Sequence, residues 1–460
     1  MTYDDRGGRG AAPMNRRSLL AAGGAAFVAR RFSWRVQRAL ALPTPQQLAW
    51  QALETGLFVH FGINTFTDRE WGDGREDPSL FNPAALDARQ WARSARAGGF
   101  RYMVLTAKHH DGFCLWPSRH TAHSVRSSPW RGGNGDLVRE FVDAARAEGL
   151  GVGLYLSPWD RNAPSYGSGE GYNDFYIAQL TELLANYGPL VEVWFDGANG
   201  EGPNGKRQTY DWERIHRTVR SLQPDALMFS DSGPDIRWIG NERGIAGDPN
   251  WCPVNPARVP YPGVSGIDVE DALQHGDPDG TAWRPGEADV SIRPGWFYHP
   301  AQDNQVKSAD ELYELYFKSV GRNANLLLNV PPDRVGLFAE PDRRSLTLFG
   351  DRLRALSAAY QAPSAPLDAS GSTFEVSLPD PAPVTVASLE EAIAQGQTIA
   401  RYRLEAMVRG SWRRISEGTT IGHRKLDRFE AVTTPRMRLV VESALARPQL
   451  RRIRLYAQEA

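Results

Sequence analysis

The chain has 460 residues, with 53 Lys plus Arg against 54 Asp plus Glu and a formal net charge of −1. That length exceeds one ordinary core, so two domains are expected, although an α/β barrel alone can take well over half of it. Near-neutrality argues against a nucleic-acid binder, the 41% apolar fraction against wholesale disorder, and two cysteines, Cys114 and Cys252, against a disulfide scaffold or Cys-rich zinc module.

Residues 1–41 stand apart, because eight Arg and two Asp give them a local charge of +6 and leave −7 for the remainder. Asn15-Arg16-Arg17-Ser18-Leu19-Leu20 opens a short apolar run to Ala29, and Ala39-Leu40-Ala41 resembles a small-residue cleavage site. A basic start, an apolar stretch and an Ala-x-Ala ending describe an export signal of the twin-arginine type, hence a periplasmic or secreted product. Arg30, Arg31, Arg35 and Arg38 interrupt that pattern and suit the alternative, a disordered basic arm; Met14 offers a second start. The run is too short to span a bilayer, and no other segment approaches the ~20 apolar residues a membrane helix needs.

Apolar strand candidates follow at 57–62, 102–107, 152–157, 191–195, 227–230 and 326–330, with helical patterns between them. Asp136 caps a helix whose Leu137, Phe141, Ala144 and Ala145 share a face, and Gly149 closes it. Tyr176, Ile177, Leu180, Leu183, Leu184 and Tyr187 repeat at helical spacing before Gly188-Pro189, and Ser308 with Glu311 reads as a capping box. Alternation over residues 42–363 predicts a (β/α)8-like TIM barrel, an α/β fold. An open doubly wound sheet lacks its Gly-x-Gly-x-x-Gly turn here, and there is no P-loop, so no cofactor is expected. Beyond Pro363 and Pro366 the texture changes to short alternating runs separated by Pro, Gly and Asp, which predicts a C-terminal antiparallel β-sandwich over 364–460.

In a barrel, side chains at strand C-termini converge on one mouth. His60, His109, His110, Tyr155, Trp159, Asp160, Trp194, Asp196 and Asp231 all fall at such ends. Asp196 suits a nucleophile, a metal ligand or a helix cap; Trp194, two residues earlier, points to the same side of the strand and favours a sugar ring over a metal. A metal-dependent barrel hydrolase is the rival. Its sites ordinarily use His-x-His on one strand face, whereas adjacent His109 and His110 would point to opposite sides, so no metal is expected. The histidines instead read as hydrogen-bond donors to hydroxyls. Cys114 reads as a reduced buried thiol, and Cys252 gives no sign of nucleophile chemistry.

Gly56-Leu57-Phe58-Val59-His60-Phe61-Gly62, Ala107-Lys108-His109-His110-Asp111-Gly112-Phe113 with Trp116, Gly153-Leu154-Tyr155-Leu156-Ser157-Pro158-Trp159 and Val193-Trp194-Phe195-Asp196-Gly197 resemble, in order and spacing, the α-L-fucosidases of glycoside hydrolase family 29. The similarity extends through Ser291-Ile292-Arg293-Pro294-Gly295-Trp296-Phe297-Tyr298 and Gly321-Arg322-Asn323 to Asn329-Val330-Pro331-Pro332. The resemblance implies a retaining, exo-acting enzyme on terminal α-L-fucosyl linkages of oligosaccharides or glycoconjugates, with Asp196 as nucleophile. It implies that His60, Glu70, Trp71, His109, His110, Tyr155 and Trp194 hold the fucose, with Arg237 near the site. Glu242, in Arg237-Trp238-Ile239-Gly240-Asn241-Glu242, matches the acid/base of the subgroup cutting α-1,3 and α-1,4 branches; Glu287 competes, and both also read as exposed loop carboxylates. A sugar-binding protein without catalysis is the remaining alternative, and Trp412 would then serve sugar binding or pack at the site rim.

Overall fold

A computed structural model of the protein describes residues 39–363 and 365–457. All but the last three residues of the segment that reads as an export signal lie outside the described residues. Eight parallel strands close a barrel: β1 (Thr55–Val59), β2 (Tyr102–Lys108), β3 (Gly151–Leu156), β4 (Glu192–Trp194), β5 (Leu227–Ser230), β6 (Ile236–Trp238), β7 (Gly286–Ser291) and β8 (Ala324–Asn329). Each bonds to its chain neighbours and β8 returns to β1, where Gly56 sits between Tyr102 and Leu327.

Closure sorts the side chains into two cores, because successive strand residues point to opposite faces. Phe58, Tyr102, Val104, Tyr155, Trp194, Phe229 and Leu327 fill the interior. Leu57, Val59, Met103, Leu105 and Leu154 face out toward the helices, each stabilising the fold by roughly 1.5–3 kcal/mol. The helix Leu137–Ala147 follows its sequence signals: Asp136 accepts from the Arg139 amide at 2.9 Å, and its apolar face is buried. Glu170–Asn186 buries Tyr176, Leu180, Leu183 and Leu184, and Ser308 with Glu311 forms the capping box of Ala309–Lys318.

Two strands, β6 and β7, fall outside the six apolar segments visible in the sequence. β6 is three residues long, and β7 alternates Glu287, Asp289 and Ser291 with Ala288 and Val290, so buried polar groups mask its apolar pattern. β5 reaches β6 through residues 231–235, although neighbouring parallel strands ordinarily need a crossover of a dozen or more. Asp235 closes this short link by donating its amide to the Met228 carbonyl (3.3 Å) and accepting from the Met228 amide (2.8 Å).

After the helix Glu340–Ala358 the chain enters a seven-stranded antiparallel sheet. Its long strands, Thr373–Glu391 and Lys425–Ala444, pair with each other across bulges. Phe374, Val376 and Leu378 are buried on one face, the alternation the sequence shows. The fold is therefore the expected parallel barrel followed by a C-terminal antiparallel domain. That domain docks at the N-terminal ends of the barrel strands. Glu54, just before β1, accepts from Arg424 at 2.8 Å and pairs with His423 at 3.0 Å, and Asn323, just before β8, accepts from the His423 amide at 2.7 Å. This is the end of the barrel opposite the mouth. Trp412 packs within the C-terminal domain, under the Arg438 guanidinium at 4.2 Å. Cys114 and Cys252 are buried free thiols, and among the described residues no helix is long and apolar enough to cross a membrane.

Candidate active site

The strand C-termini enclose a cavity of about 330 Å³ lined by Phe58, His60, Glu70, Trp71, His109, His110, Tyr155, Trp194, Asp196, Ala198, Glu242, Asp289 and Trp296. That is the lower end of the roughly 300–1,000 Å³ range of ligand pockets.

Asp196 stands two residues beyond β4. Its Oδ2 accepts from the Tyr155 hydroxyl at 3.1 Å and its Oδ1 from the Ala198 amide at 2.7 Å, so both oxygens are oriented. Tyr155 is buried, and burial together with the Asp196 charge raises its pKa well above the ordinary value, keeping it a donor. Glu242 faces the same cavity from the loop after β6, and its Oε2 accepts from the Trp296 indole at 3.3 Å. Desolvation, then the charges of Asp196 and Glu70, push the Glu242 pKa up against that hydrogen bond.

The three histidines come together, although adjacency predicts opposite directions for His109 and His110. The reason is local: β2 ends at Lys108, so both lie in a turn where strand alternation no longer applies, their rings 4.1 Å apart. The network also sets the tautomers of two of them, His60 and His110. Asn329 donates its amide to Ser291 (2.9 Å) and to the Trp296 carbonyl (2.8 Å), so its Oδ1 accepts from His60 Nδ1 at 2.9 Å. Ser157 donates to the Trp159 carbonyl and therefore accepts from His110 Nδ1 at 2.7 Å. Burial lowers the pKa of all three, that of His60 to about 3. His60 and His110 thus present an unprotonated Nε2, that of His110 3.8 Å from Asp196 Oδ2. They offer acceptors to hydroxyl groups, not the donors that residue type alone suggests.

Aromatic faces complete the wall. Trp194 stacks on Phe229 at 4.0 Å and donates its indole N–H to Glu287 at 3.0 Å. Trp71 is exposed at the rim, edge-on to His110. Glu70 lines the cavity, but its oxygens accept from the backbone of Trp296 (2.8 Å) and Phe297 (3.2 Å).

Two positions differ from expectation. Glu287 is no loop carboxylate: it is fully buried within the barrel beneath Trp194, facing Glu192. Burial and mutual repulsion raise the pKa of Glu192 strongly, so that carboxyl keeps its proton. Arg237 points away from the cavity and is held by the Leu273 carbonyl (3.0 Å), Asn250 (2.6 Å) and the Arg284 carbonyl. Its neighbour Trp238 faces inward and donates to Asp289 at 2.7 Å, as strand alternation requires. Asp289, Trp296 and Asn329 carry no role in the sequence analysis. Reading residues 286–291 as a strand would place Asp289 on the same face as Glu287. Among the described residues, no three His, Cys, Asp or Glu are grouped to hold a metal ion.

A parallel barrel whose C-terminal mouth gathers two carboxylates, acceptor imidazoles and aromatic faces into one small cavity has the architecture of a barrel glycoside hydrolase. The family model described as Alpha-L-fucosidase matches residues 66–236 and 258–357. The chain belongs to that family, glycoside hydrolase family 29, and its activity is that of an α-L-fucosidase. Alpha-L-fucosidase 1 of Arabidopsis thaliana is 42% identical over 451 residues, 91% of this chain and 88% of the plant protein. A Ruminococcus gnavus GH29 fucosidase in complex with fucose is similar at TM-score 0.80 and 31% identity, over 92% of this chain and 97% of that one. A glycoside hydrolase 29 family member from an unknown rumen bacterium is similar at TM-score 0.85 and 39% identity, over 92% and 78%.

Proposed function

We propose that the enzyme is retaining and exo-acting, with Asp196 as nucleophile and Glu242 as general acid and base, and that it cuts α-1,3- and α-1,4-linked fucosyl branches. The observation that carries this reading is the unequal setting of two carboxylates on one cavity. Asp196 has donors aimed at both oxygens, while Glu242 is held by one long hydrogen bond and its pKa is raised by burial. A carboxyl whose surroundings favour its proton, beside one with hydrogen-bond donors on both oxygens, suits the division of roles between acid and nucleophile.

In the first step an Asp196 oxygen attacks the anomeric carbon as the bond to the aglycone oxygen breaks, and the Glu242 proton passes to that oxygen. In the second, water attacks the fucosyl ester, Glu242 takes its proton, and Asp196 leaves as carboxylate. His60 and His110 accept sugar hydroxyls, while Trp194 and Phe58 offer apolar faces to the ring and its methyl group. A cavity with room for one small ring supports action on terminal residues. The place of Glu242 in the segment 237–242 supports the α-1,3/1,4 preference. The charge of residues 1–41 supports export through the twin-arginine route.

Two measurements test this. Glu242→Ala is expected to lose far more rate on a fucosyl disaccharide than on an activated aryl fucoside, with azide restoring the second. Products from α-1,2, α-1,3, α-1,4 and α-1,6 fucosylated oligosaccharides are expected from the middle two; release from the others at equal rate removes the linkage assignment.

A further inference from the structure

Behind the cavity wall lies a line of charge that the two-step mechanism leaves unused. His299 stands between two carboxylates, with Nδ1 2.9 Å from Asp68 Oδ1 and Nε2 2.6 Å from Glu70 Oε1. Arg334 approaches the same Asp68 oxygen at 3.5 Å. Burial pulls the His299 pKa down, but the hydrogen bonds to Asp68 and Glu70 outweigh it and raise the value, favouring an imidazolium that donates from both nitrogens.

Glu70, so held, accepts from the amides of Trp296 and Phe297. Those amides belong to the loop that follows β7, and the Trp296 indole is the donor to Glu242. The packing has no slack, because a Cβ at Gly295 would strike both Glu70 and the His299 ring. A continuous set of contacts therefore runs from Asp68 through His299, Glu70 and the Trp296 backbone to the carboxyl of Glu242.

We infer that His299, anchored by Asp68, is a positioning residue: it pins Glu70 on the Trp296–Phe297 amides and thereby sets the indole that orients Glu242. The inference rests on Glu242 being the acid. The indole hydrogen bond favours the ionised Glu242 and so opposes the upward pull of burial and of the Asp196 and Glu70 charges. Asp289 on β7, which lines the same cavity, has its own pKa raised well above the ordinary value by burial and by the Glu242 charge. Loosening the loop removes that donor. The Glu242 pKa then rises further, and the acid loses its alignment with the leaving oxygen.

The test compares full-length His299→Ala, His299→Gln, Asp68→Asn, Trp296→Phe and Glu242→Ala on a fucosyl disaccharide and on an activated aryl fucoside. His299→Ala is expected to lose about tenfold in kcat/KM on the disaccharide, the worth of one hydrogen bond to a charged group. It is expected to lose far less on the aryl fucoside, with the alkaline limb of the pH profile moved to higher pH as in Trp296→Phe. His299→Gln is expected to recover most of the loss, because its side-chain amide donates to Glu70 from the place of imidazole Nε2. Equal losses on both substrates with an unmoved alkaline limb, or wild-type behaviour, overturn the inference while a leaving-group-dependent Glu242→Ala keeps the acid assignment. A Glu242→Ala variant without leaving-group dependence removes the acid assignment and this inference with it. If His299→Ala does not fold, Asp68→Asn at its exposed site carries the same comparison.

Discussion

Tyr155→Phe isolates one oxygen atom at the centre of the proposed mechanism. The ring is buried and stays, so the barrel interior keeps its packing; only the hydroxyl that donates to Asp196 at 3.1 Å is lost. A hydrogen bond to a charged group contributes about 1.5–3 kcal/mol, or roughly 10- to 150-fold in rate. The Asp196 side chain is 26% exposed, so water replaces part of the donor and the lower end applies, about 10- to 30-fold. The assay is kcat/KM on an aryl fucoside, which reports formation of the fucosyl ester, alongside a melting temperature to show that the fold is kept. In an Asp196→Gly background, assayed with azide as the external nucleophile so that no fucosyl ester is needed, the same change is expected to cost nothing further, because its partner is gone. A single variant within twofold of wild type, or an undiminished cost in the double variant, refutes the claim that Tyr155 acts through Asp196.

Arg237→Met removes the donor to the Leu273 and Arg284 carbonyls and to Asn250 Oδ1 in a buried setting, so it is expected to lower stability by about 2–5 kcal/mol. Its kcat/KM per folded molecule should stay within about threefold; a large rate loss at wild-type melting temperature would return Arg237 to the site. At the domain junction, burial raises the Glu54 pKa, but the His423 hydrogen bond and the Arg424 charge outweigh it and leave the value lowered. That stabilisation is present above the ordinary glutamate value of about 4.3 and is lost as pH falls through the lower folded value. Glu54→Gln should therefore flatten the acid side of a melting-temperature profile, and an unchanged acid limb would contradict the pairing.

The barrel is legible where strands are apolar and helices are capped, as at Asp136 and Ser308. It is hidden where buried polar groups line a strand, as in β7. Strand ends place Asp196, Tyr155 and His60 at the mouth, where they line the cavity, because position along a strand fixes which end of the barrel a side chain reaches. Three things depend on partners distant in the chain: the tautomers of His60 and His110, set by Asn329 and Ser157; the depth of Glu287; and the outward turn of Arg237. The loop carrying Trp296 and His299 is of the same kind, since its role appears only when it meets Glu70 and Glu242.

The central claim is that Asp196 forms a covalent bond to the sugar. Incubation with a 2-deoxy-2-fluoro fucosyl fluoride, followed by proteolysis and mass spectrometry, tests it directly. The account predicts one label per chain, on the peptide containing Asp196 and absent in Asp196→Gly. A label on another carboxylate, or turnover with inversion and no adduct, would contradict it.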